Sequence, residues 1–272
     1  MLKSLGMRNA VHFNVSFFRS NLIFRVIPKD YTEDKDTMLK AWQTTILEYI
    51  QARRDDTGIV YCLSRDDAES MAFLVSNFTG IPAAFYHAGM SSGQRMAVQN
   101  KWRTGAVKIV AATIAFGMGI DHPHVRYVLH ATMSKSLEGY YQEAGRCGRD
   151  GQSGECILFY GKRDGPRILN LIRRGQKKGS SFQRQLALFN AVAEYCTEGQ
   201  VCRHAQLLNY LGENCDITCK NSCDVCLNEV ISLQDDKQKK ERKRKETSKK
   251  ETTGPVPLPG FTSAKMLKMS QL

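Results

Sequence analysis

The chain is organised around the stretch Tyr140-Tyr-Gln-Glu-Ala-Gly-Arg-Cys-Gly-Arg-Asp-Gly151, in which a glutamine, two arginines and three glycines fall within twelve residues. The spacing of Gln142, Arg146 and Arg149 predicts three side chains on one face of a helix. Two guanidinium groups aimed at one point suit a phosphate chain, because each offers a planar fork of donors. Glycine in a helix costs about 1 kcal/mol relative to alanine, so Gly145 and Gly148 indicate close approach of a large ligand. A solvated basic helix is the alternative interpretation.

The segment Gln142-Glu-Ala-Gly-Arg-Cys-Gly-Arg-Asp-Gly151 resembles the last signature motif of superfamily 2 helicases, in the form found in the RecQ family of DNA helicases. The resemblance implies that Arg149, with Arg146, stabilises charge on the γ-phosphate of ATP, and that Gln142 relays the nucleotide state. DEAD-box RNA helicases are less similar here, since they carry His-Arg-Ile-Gly-Arg at this position.

The composition favours a polyanionic partner. The 272 residues carry a formal charge of +12, a pI near 9.3 and 42% apolar residues, enough for a buried core. No run approaches the roughly 20 apolar residues of a membrane span, and the N-terminus lacks the pattern of a secretory signal. We therefore expect an intracellular protein that binds nucleic acid rather than membrane.

Apolar runs alternate with helical segments, which predicts an α/β fold with a parallel sheet covered on both faces. The predicted strands are 21–27, 59–63, 83–86, 107–112, 125–130 and 156–160. The predicted helices are 34–54, 66–77, 91–103 and 136–149, followed by 165–174, 182–198 and 201–210. The stretch from Asn14 to Leu22 is similar to the connector that leads into the second RecA-like domain of RecQ helicases.

Polar residues follow two of these strands, where ligands of such sheets collect. Ser64 and Arg65 follow the second strand, and helix capping is their simplest interpretation. Thr113 and Asp121 follow a later strand, with Gly119 between them, and a bent turn with a capping Asp is the alternative there. The match of 112–121 to a RecQ motif implies that Gly119 and Asp121 bind the nucleotide. It also implies that Ser64, Arg65 and Thr113 contact the DNA backbone.

Six of the nine cysteines crowd between positions 196 and 226, which favours a metal site over disulfides in a reducing compartment. Four thiolates suit a closed, tetrahedral, structural zinc site, whereas buried unligated thiols are the alternative. Cys196 and Cys215 are also close in sequence. Resemblance to the RecQ zinc-binding subdomain implies the ligands Cys202, Cys219, Cys223 and Cys226, with Cys215 as the substitute. It also makes Arg203 a candidate DNA contact.

The C-terminal stretch from Asp235 to Glu251 contains nine Lys or Arg and five Asp or Glu, and it reads as a disordered tail or a nuclear address. The sequence contains no Gly-x-x-x-x-Gly-Lys-Ser/Thr loop and no Asp-Glu-x-His box. ATP and Mg²⁺ are therefore expected only together with a first RecA-like domain, in cis and ahead of Met1. By itself the chain is expected not to hydrolyse ATP.

The resemblance predicts four segments. A connector spans 1–20, a RecA-like helicase C-terminal domain of the P-loop NTPase type spans 21–162, a small helical zinc-binding subdomain spans 163–229, and a basic tail spans 230–272. The expected function is that of an ATP-dependent 3′ to 5′ DNA helicase of the RecQ type, located in the nucleus. A non-enzymatic DNA-binding scaffold derived from half a helicase is the alternative.

Overall fold

The structure is a computed structural model, and it describes residue 6 and residues 15–34, 37–117, 120–175, 180–213 and 218–229. The strands are β1 (Leu22–Pro28), β2 (Thr57–Tyr61), β3 (Ala83–Tyr86), β4 (Ile109–Ala112), β5 (Val125–His130) and β6 (Gly154–Tyr160). The helices are α1 (Ala41–Gln51), α2 (Arg65–Thr79), α3 (Ser92–Arg103), α4 (Leu137–Ala144), α5 (Asp164–Gly175), α6 (Ser180–Thr197) and α7 (Arg203–Tyr210).

The six strands form one parallel sheet in the order β1-β6-β5-β2-β4-β3. Every residue of β2 and of β4 is buried. Because successive side chains of a strand point to opposite faces, a strand that is buried throughout must be covered on both faces. The parallel α/β sheet expected from the apolar runs is thus confirmed.

Two apolar cores lie on the two faces of the sheet. One core contains Ile46 and Ile50 from α1 and Val75 from α2, all fully buried. The other core contains Tyr140 from α4 and Val192 from α6, also fully buried. The helices after β6 therefore extend the same core that α4 forms.

The first helix begins later than its apolar spacing predicted. It starts at Ala41 rather than at Asp34, because the chain turns sharply at Met38, whose φ is 57°. Leu39 is buried just ahead of the helix, so the apolar residues of this segment reach the core from a turn.

Among the described residues, no helix is long and apolar enough to cross a membrane.

The open edge of β1 is covered by the cysteine-rich segment after α7. Phe24 donates its backbone N–H to the Ser222 carbonyl at 3.0 Å, and Asp224 donates its own to the Phe24 carbonyl at 3.0 Å. These two bonds make an isolated parallel bridge between Phe24 and Cys223. Unpaired edge groups are a liability, and this segment satisfies them at the middle of β1.

We expect Gly58→Ala to destabilise the fold. A Cβ on Gly58 would lie 2.0 Å from the Cε2 atom of Tyr127, whose ring is fully buried and packs edge-on against Tyr49 at 5.3 Å. Overpacking of this kind costs about 1–3 kcal/mol, so the urea midpoint should fall. The control is Gly93→Ala in α3, where nothing lies within 4 Å of an added Cβ. That variant should be neutral or slightly stabilising, and an equal loss in both variants would contradict the packing account.

Candidate motor site and metal centre

Helix α4 is shorter than its spacing predicted. It begins after Ser136, whose side chain accepts from the Gly139 N–H, and it ends at Ala144 with Gly145 as its C-cap. Arg146 and Arg149 lie in the turns that follow the helix. The prediction of one helix face shared with Gln142 is therefore wrong: the chain leaves the helix and turns back toward β6.

The two arginines nevertheless meet the same segment, the connection between β4 and β5. Arg149 donates from Nη1 to Oδ1 of Asp121 at 2.7 Å and to the Ile120 carbonyl at 3.1 Å. Arg146 lies against the same connection, since a Cβ on Gly117 would be 3.4 Å from its Nη2 atom. Gln142 is exposed on α4. The structure thus brings together two guanidinium groups and a carboxylate at one place on the sheet.

The turn that carries the arginines is held by the segment ahead of β1. Asn21 donates both hydrogens of its side-chain amide, to the Gly148 carbonyl at 2.9 Å and to the Gln152 carbonyl at 2.7 Å. Arg19 donates to the same Gly148 carbonyl at 2.8 Å. Sequence reasoning missed this role of Arg19 and Asn21, although both lie in the connector-like stretch before Leu22.

Two features require glycine at position 148: its backbone conformation and its close contact with Asn21. Its φ is 58°, in the left-handed region, and a Cβ would lie 2.6 Å from the Asn21 side-chain nitrogen. The expectation that a bound ligand requires this glycine is replaced by a contact within the chain.

A buried polar cluster fixes α4 to the sheet. His130, at the end of β5, contacts Oε2 of Glu143 at 2.9 Å, and the Ser134 hydroxyl donates to the same oxygen at 2.7 Å. The His130 ring stacks on Tyr61 at 5.1 Å. Burial raises the pKa of Tyr61, so its protonated hydroxyl donates to the Phe116 carbonyl at 2.8 Å. The cluster therefore connects α4 to the turn after β4, against which Arg146 lies.

The residues predicted to contact DNA occupy two separate turns. The Ser64 hydroxyl caps α2, accepting from the Asp67 N–H at 3.1 Å, so the capping interpretation describes its present contacts. Arg65 is exposed and packs against Gly89, where an added Cβ would lie 2.9 Å from its Nη1 atom. Thr113 is half-buried directly after β4. Gly119 lies outside the described residues.

Arg203 is not placed to bind DNA, contrary to prediction. Its side chain is only 2% exposed and forms a two-pronged ion pair with Asp224, Nε to Oδ1 at 2.9 Å and Nη2 to Oδ2 at 3.1 Å. Its remaining nitrogen, Nη1, donates to the carbonyls of Tyr195 and Glu198. All three guanidinium nitrogens are thus occupied within the protein. The sequence could not show this, because the partner carboxylate lies 21 residues further along the chain.

Four cysteines form a compact group. The sulfur atoms of Cys202, Cys219, Cys223 and Cys226 all lie within 4.8 Å of one another, and Cys202 and Cys223 are 3.9 Å apart. Tetrahedral zinc with Zn–S bonds of about 2.3 Å places its sulfur ligands about 3.8 Å apart, so the group fits that ion. Cys196 is buried but lies outside this group, and Cys215 lies outside the described residues.

Burial and hydrogen bonds within the group shift the pKa of three of its thiols. The pKa of Cys202 is lowered to about 4, chiefly because the Cys223 thiol donates to it and also through backbone N–H donors. Burial raises the pKa of Cys219 to about 12, and donation to Cys202 raises that of Cys223. A divalent cation would allow all four thiols to ionise, which is the chemistry of a structural zinc site.

Comparison with protein families gives two adjoining matches. The model described as helicase conserved C-terminal domain matches residues 41–151, and the model described as RecQ zinc-binding matches residues 162–227. The chain belongs to the RecQ family of helicases. The parallel sheet and the four-cysteine group agree with the two halves of this match.

Relatives of the RecQ family match most of the chain. The RecQ-like DNA helicase BLM of Xenopus laevis is 41% identical over 239 residues, which is 84% of this chain and 17% of the relative. The ATP-dependent DNA helicase hus2/rqh1 of Schizosaccharomyces pombe is 38% identical over 238 residues, 87% of this chain and 17% of the relative. The chain thus spans about a sixth of the length of these two relatives.

Among solved structures, a DEAD box protein from Methanococcus jannaschii is 22% identical, with a TM-score of 0.45, and covers 58% of this chain and 40% of its own.

We expect Asp224→Asn to destabilise this RecQ chain strongly. The substitution keeps the side-chain volume but leaves the Arg203 guanidinium buried without its counter-charge. Breaking one partner of a buried pair costs about 3–5 kcal/mol, which urea unfolding would measure. The control is Glu229→Gln, which breaks the ion pair of a half-exposed Glu229 with Arg25 and should cost less than about 1 kcal/mol. Similar losses in the two variants would argue against the buried pair as the cause.

Proposed function

We propose that this chain is the part of an ATP-dependent DNA helicase of the RecQ type that supplies the arginine fingers and the zinc-binding subdomain. The observation that carries the proposal is the meeting of Arg146, Arg149 and Asp121 on the connection between β4 and β5. The names of the relatives, which describe ATP-dependent DNA helicases, support the same activity.

The arrangement indicates how each residue acts. Arg149 leaves Asp121 and donates its fork to the γ-phosphate of ATP, with Arg146 beside it, so that charge developing during transfer is neutralised. Asp121, whose side chain is 80% exposed, then accepts from a ribose hydroxyl. Gln142 lies exposed on the preceding helix turn and relays the nucleotide state. A phosphate cradle and Mg²⁺ come from a first RecA-like domain, against which this face closes.

DNA binds along the turns after β2 and β4. Ser64, Arg65 and Thr113 lie in those turns, and the formal charge of +12 favours contact with a phosphate backbone. Closure and opening of the two motor domains moves the strand in the 3′ to 5′ direction. The cell nucleus is the expected location, while the basic tail that suggests it lies outside the described residues.

The zinc ion has a structural role in this proposal. It is held by Cys202, Cys219, Cys223 and Cys226, and when bound it cross-links the start of α7 to the segment that covers β1. The proposal keeps the division into a RecA-like domain at 21–162 and a zinc-binding subdomain at 163–229. Continuous packing between the two is expected, since α4 and α6 share one core.

The helicase proposal is tested by restoring the motor. The chain is mixed with a separately produced first RecA-like domain that carries the Walker loop, and ATP hydrolysis is measured with and without single-stranded DNA. We expect DNA-stimulated hydrolysis that neither part shows alone. Arg149→Ala should lower kcat by about 10³-fold, the lower end for an arginine finger, without weakening DNA binding.

The matched control is Arg103→Ala, which removes an exposed arginine on α3 and should leave kcat unchanged. If the mixture binds DNA in a salt-sensitive manner but ATP has no effect, the protein acts as a non-enzymatic DNA-binding scaffold. Equal rates of ATP hydrolysis for Arg149→Ala and Arg103→Ala would exclude the arginine-finger role of Arg149, but they would leave the helicase proposal standing.

The ligand set is tested by zinc content. The purified chain should hold one zinc ion per molecule, and Cys202→Ser should release it and lower the urea midpoint, because zinc-binding energy is folding energy. The controls are Cys196→Ser, a buried thiol outside the group, and Cys215→Ser. Both should keep the ion. Loss of zinc in Cys215→Ser with retention in Cys219→Ser would show that Cys215, and not Cys219, is the fourth ligand.

A further inference from the structure

Two buried polar rings at the carboxyl ends of β2 and β5 have no part in the proposed mechanism. Tyr61 ends β2, His130 ends β5, and the two residues are paired in the register of the sheet. They are only 3% and 1% exposed. Burying a polar group costs free energy unless it is hydrogen-bonded, and apolar residues of similar size would avoid that cost. The contacts of these rings lead to residues 145–150, the arginine turn, which carries Arg146 and Arg149.

The Tyr61 hydroxyl fixes a peptide bond in the turn after β4. It donates to the Phe116 carbonyl at 2.8 Å. The Phe116 ring is fully buried and packs edge-on against Tyr86 at 4.8 Å and against Trp102 at 5.2 Å. A phenolic hydroxyl has one hydrogen, so this bond sets the direction of the hydroxyl. The peptide bond between Phe116 and Gly117 is thus held both by the Phe116 ring and by its carbonyl.

The Arg146 guanidinium packs against the same peptide bond. A Cβ on Gly117 would lie 3.4 Å from its Nη2 atom. Burial raises the pKa of Tyr61, and the positive charge of Arg146 opposes that rise because it favours the phenolate. No ion pair involves Arg146 within the part of the chain that the structure describes, whereas Arg149 is paired with Asp121 at 2.7 Å. Neutral groups therefore hold Arg146, and its charge remains available to a phosphate.

The backbone of Arg146 is held by Glu143, at the end of α4. The Arg146 N–H donates to the Glu143 carbonyl at 3.2 Å. The Glu143 side chain is only 12% exposed, and its Oε2 atom lies 2.9 Å from Nε2 of His130 and 2.7 Å from the Ser134 hydroxyl. The His130 ring stacks on Tyr61 at 5.1 Å, with 23° between the ring planes. Both the backbone and the guanidinium of Arg146 are therefore connected to the same pair of rings.

We propose that Tyr61 is a positioning residue for Arg146, whose guanidinium rests on the peptide bond that the Tyr61 hydroxyl holds. The inference rests on the proposed function, in which Arg146 lies beside Arg149 at the γ-phosphate. A flexible arginine side chain loses conformational entropy when it is fixed. A donor that is already oriented needs no rearrangement while charge develops in the transition state. Tyr61 therefore acts on the rate of phosphoryl transfer through Arg146, without contacting the nucleotide.

The contact is tested on the full chain alone by NMR of the arginine Nε–H groups. The Arg146 signal is assigned as the one that disappears in Arg146→Lys. We expect this signal to shift or broaden in Tyr61→Phe, which removes one hydroxyl and keeps the ring that stacks on His130. The control is Tyr127→Phe, which removes a buried hydroxyl that has no partner among the described residues. The control should leave the Arg146 signal in place, and an unchanged signal in Tyr61→Phe overturns the proposal.

The restored motor tests whether this contact serves ATP hydrolysis. The first RecA-like domain is added to each variant under conditions where urea unfolding shows the variant to be folded. Tyr61→Phe should lower kcat about 10-fold to 100-fold, since a misplacement of about 1 Å costs about 100-fold. The KM for ATP and the affinity for single-stranded DNA should be unchanged, because Tyr61 contacts neither ligand.

Three outcomes are distinguishable. A selective loss of kcat in Tyr61→Phe, absent in Tyr127→Phe, supports the positioning role. Equal kcat values for the two variants, or a loss of DNA affinity that matches the loss of kcat, overturn it. If the unmodified chain hydrolyses no ATP in the mixture, the proposed function fails, and the NMR comparison alone decides whether Tyr61 holds Arg146.

Discussion

The carboxylate of Asp224 is the contact on which the join between the zinc-binding segment and the sheet depends. One side chain neutralises the buried Arg203 guanidinium and accepts from the Val26 N–H at 3.0 Å, while its backbone N–H bonds to the Phe24 carbonyl. Charges taken out of water are tolerated only when their hydrogen-bonding capacity is filled. Groups from β1, α6 and α7 fill the hydrogen-bonding capacity of Asp224 and Arg203. These elements therefore cannot separate without leaving a charge exposed or unpaired.

The same join extends to the arginine turn. The His204 ring, on α7, lies 3.1 Å from the carbonyls of both Leu22 and Ser222, and the Ser222 hydroxyl donates to the Ser20 carbonyl. Asn21 lies between Ser20 and Leu22 in the chain, and its side-chain amide donates to the carbonyls of Gly148 and Gln152. A continuous set of hydrogen bonds therefore runs from the metal-binding segment through the start of β1 to the turn that carries Arg149. A metal ion held by the four cysteines would therefore be coupled to the position of Arg149 through this strand end.

The sequence predicted the parallel sheet well because apolar runs of this kind bury both faces of a strand, as β2 and β4 show. Prediction from sequence is less reliable for a residue whose type is compatible with two different structural roles. Gly148 was interpreted as room for a ligand, and the structure gives it a left-handed backbone beside Asn21. Arg203 is predicted as a DNA contact, and it is buried against a carboxylate that is distant in sequence. Local patterns report backbone geometry and periodic burial, but pairings between distant segments appear only in the folded chain.

The proposed arginine-finger role requires Arg149 to give up its ion pair with Asp121. The two side chains are 35% and 80% exposed, and an exposed ion pair contributes only about 0–1 kcal/mol. An arginine finger is worth about 10³–10⁵ in rate, equivalent to about 4–7 kcal/mol at about 1.4 kcal/mol per tenfold. If Arg149 acts as the proposed finger, giving up this ion pair therefore costs far less than the interaction it would gain at the γ-phosphate. In that proposal Asp121 restricts the long arginine side chain before nucleotide binds, so that less conformational entropy would be lost on binding.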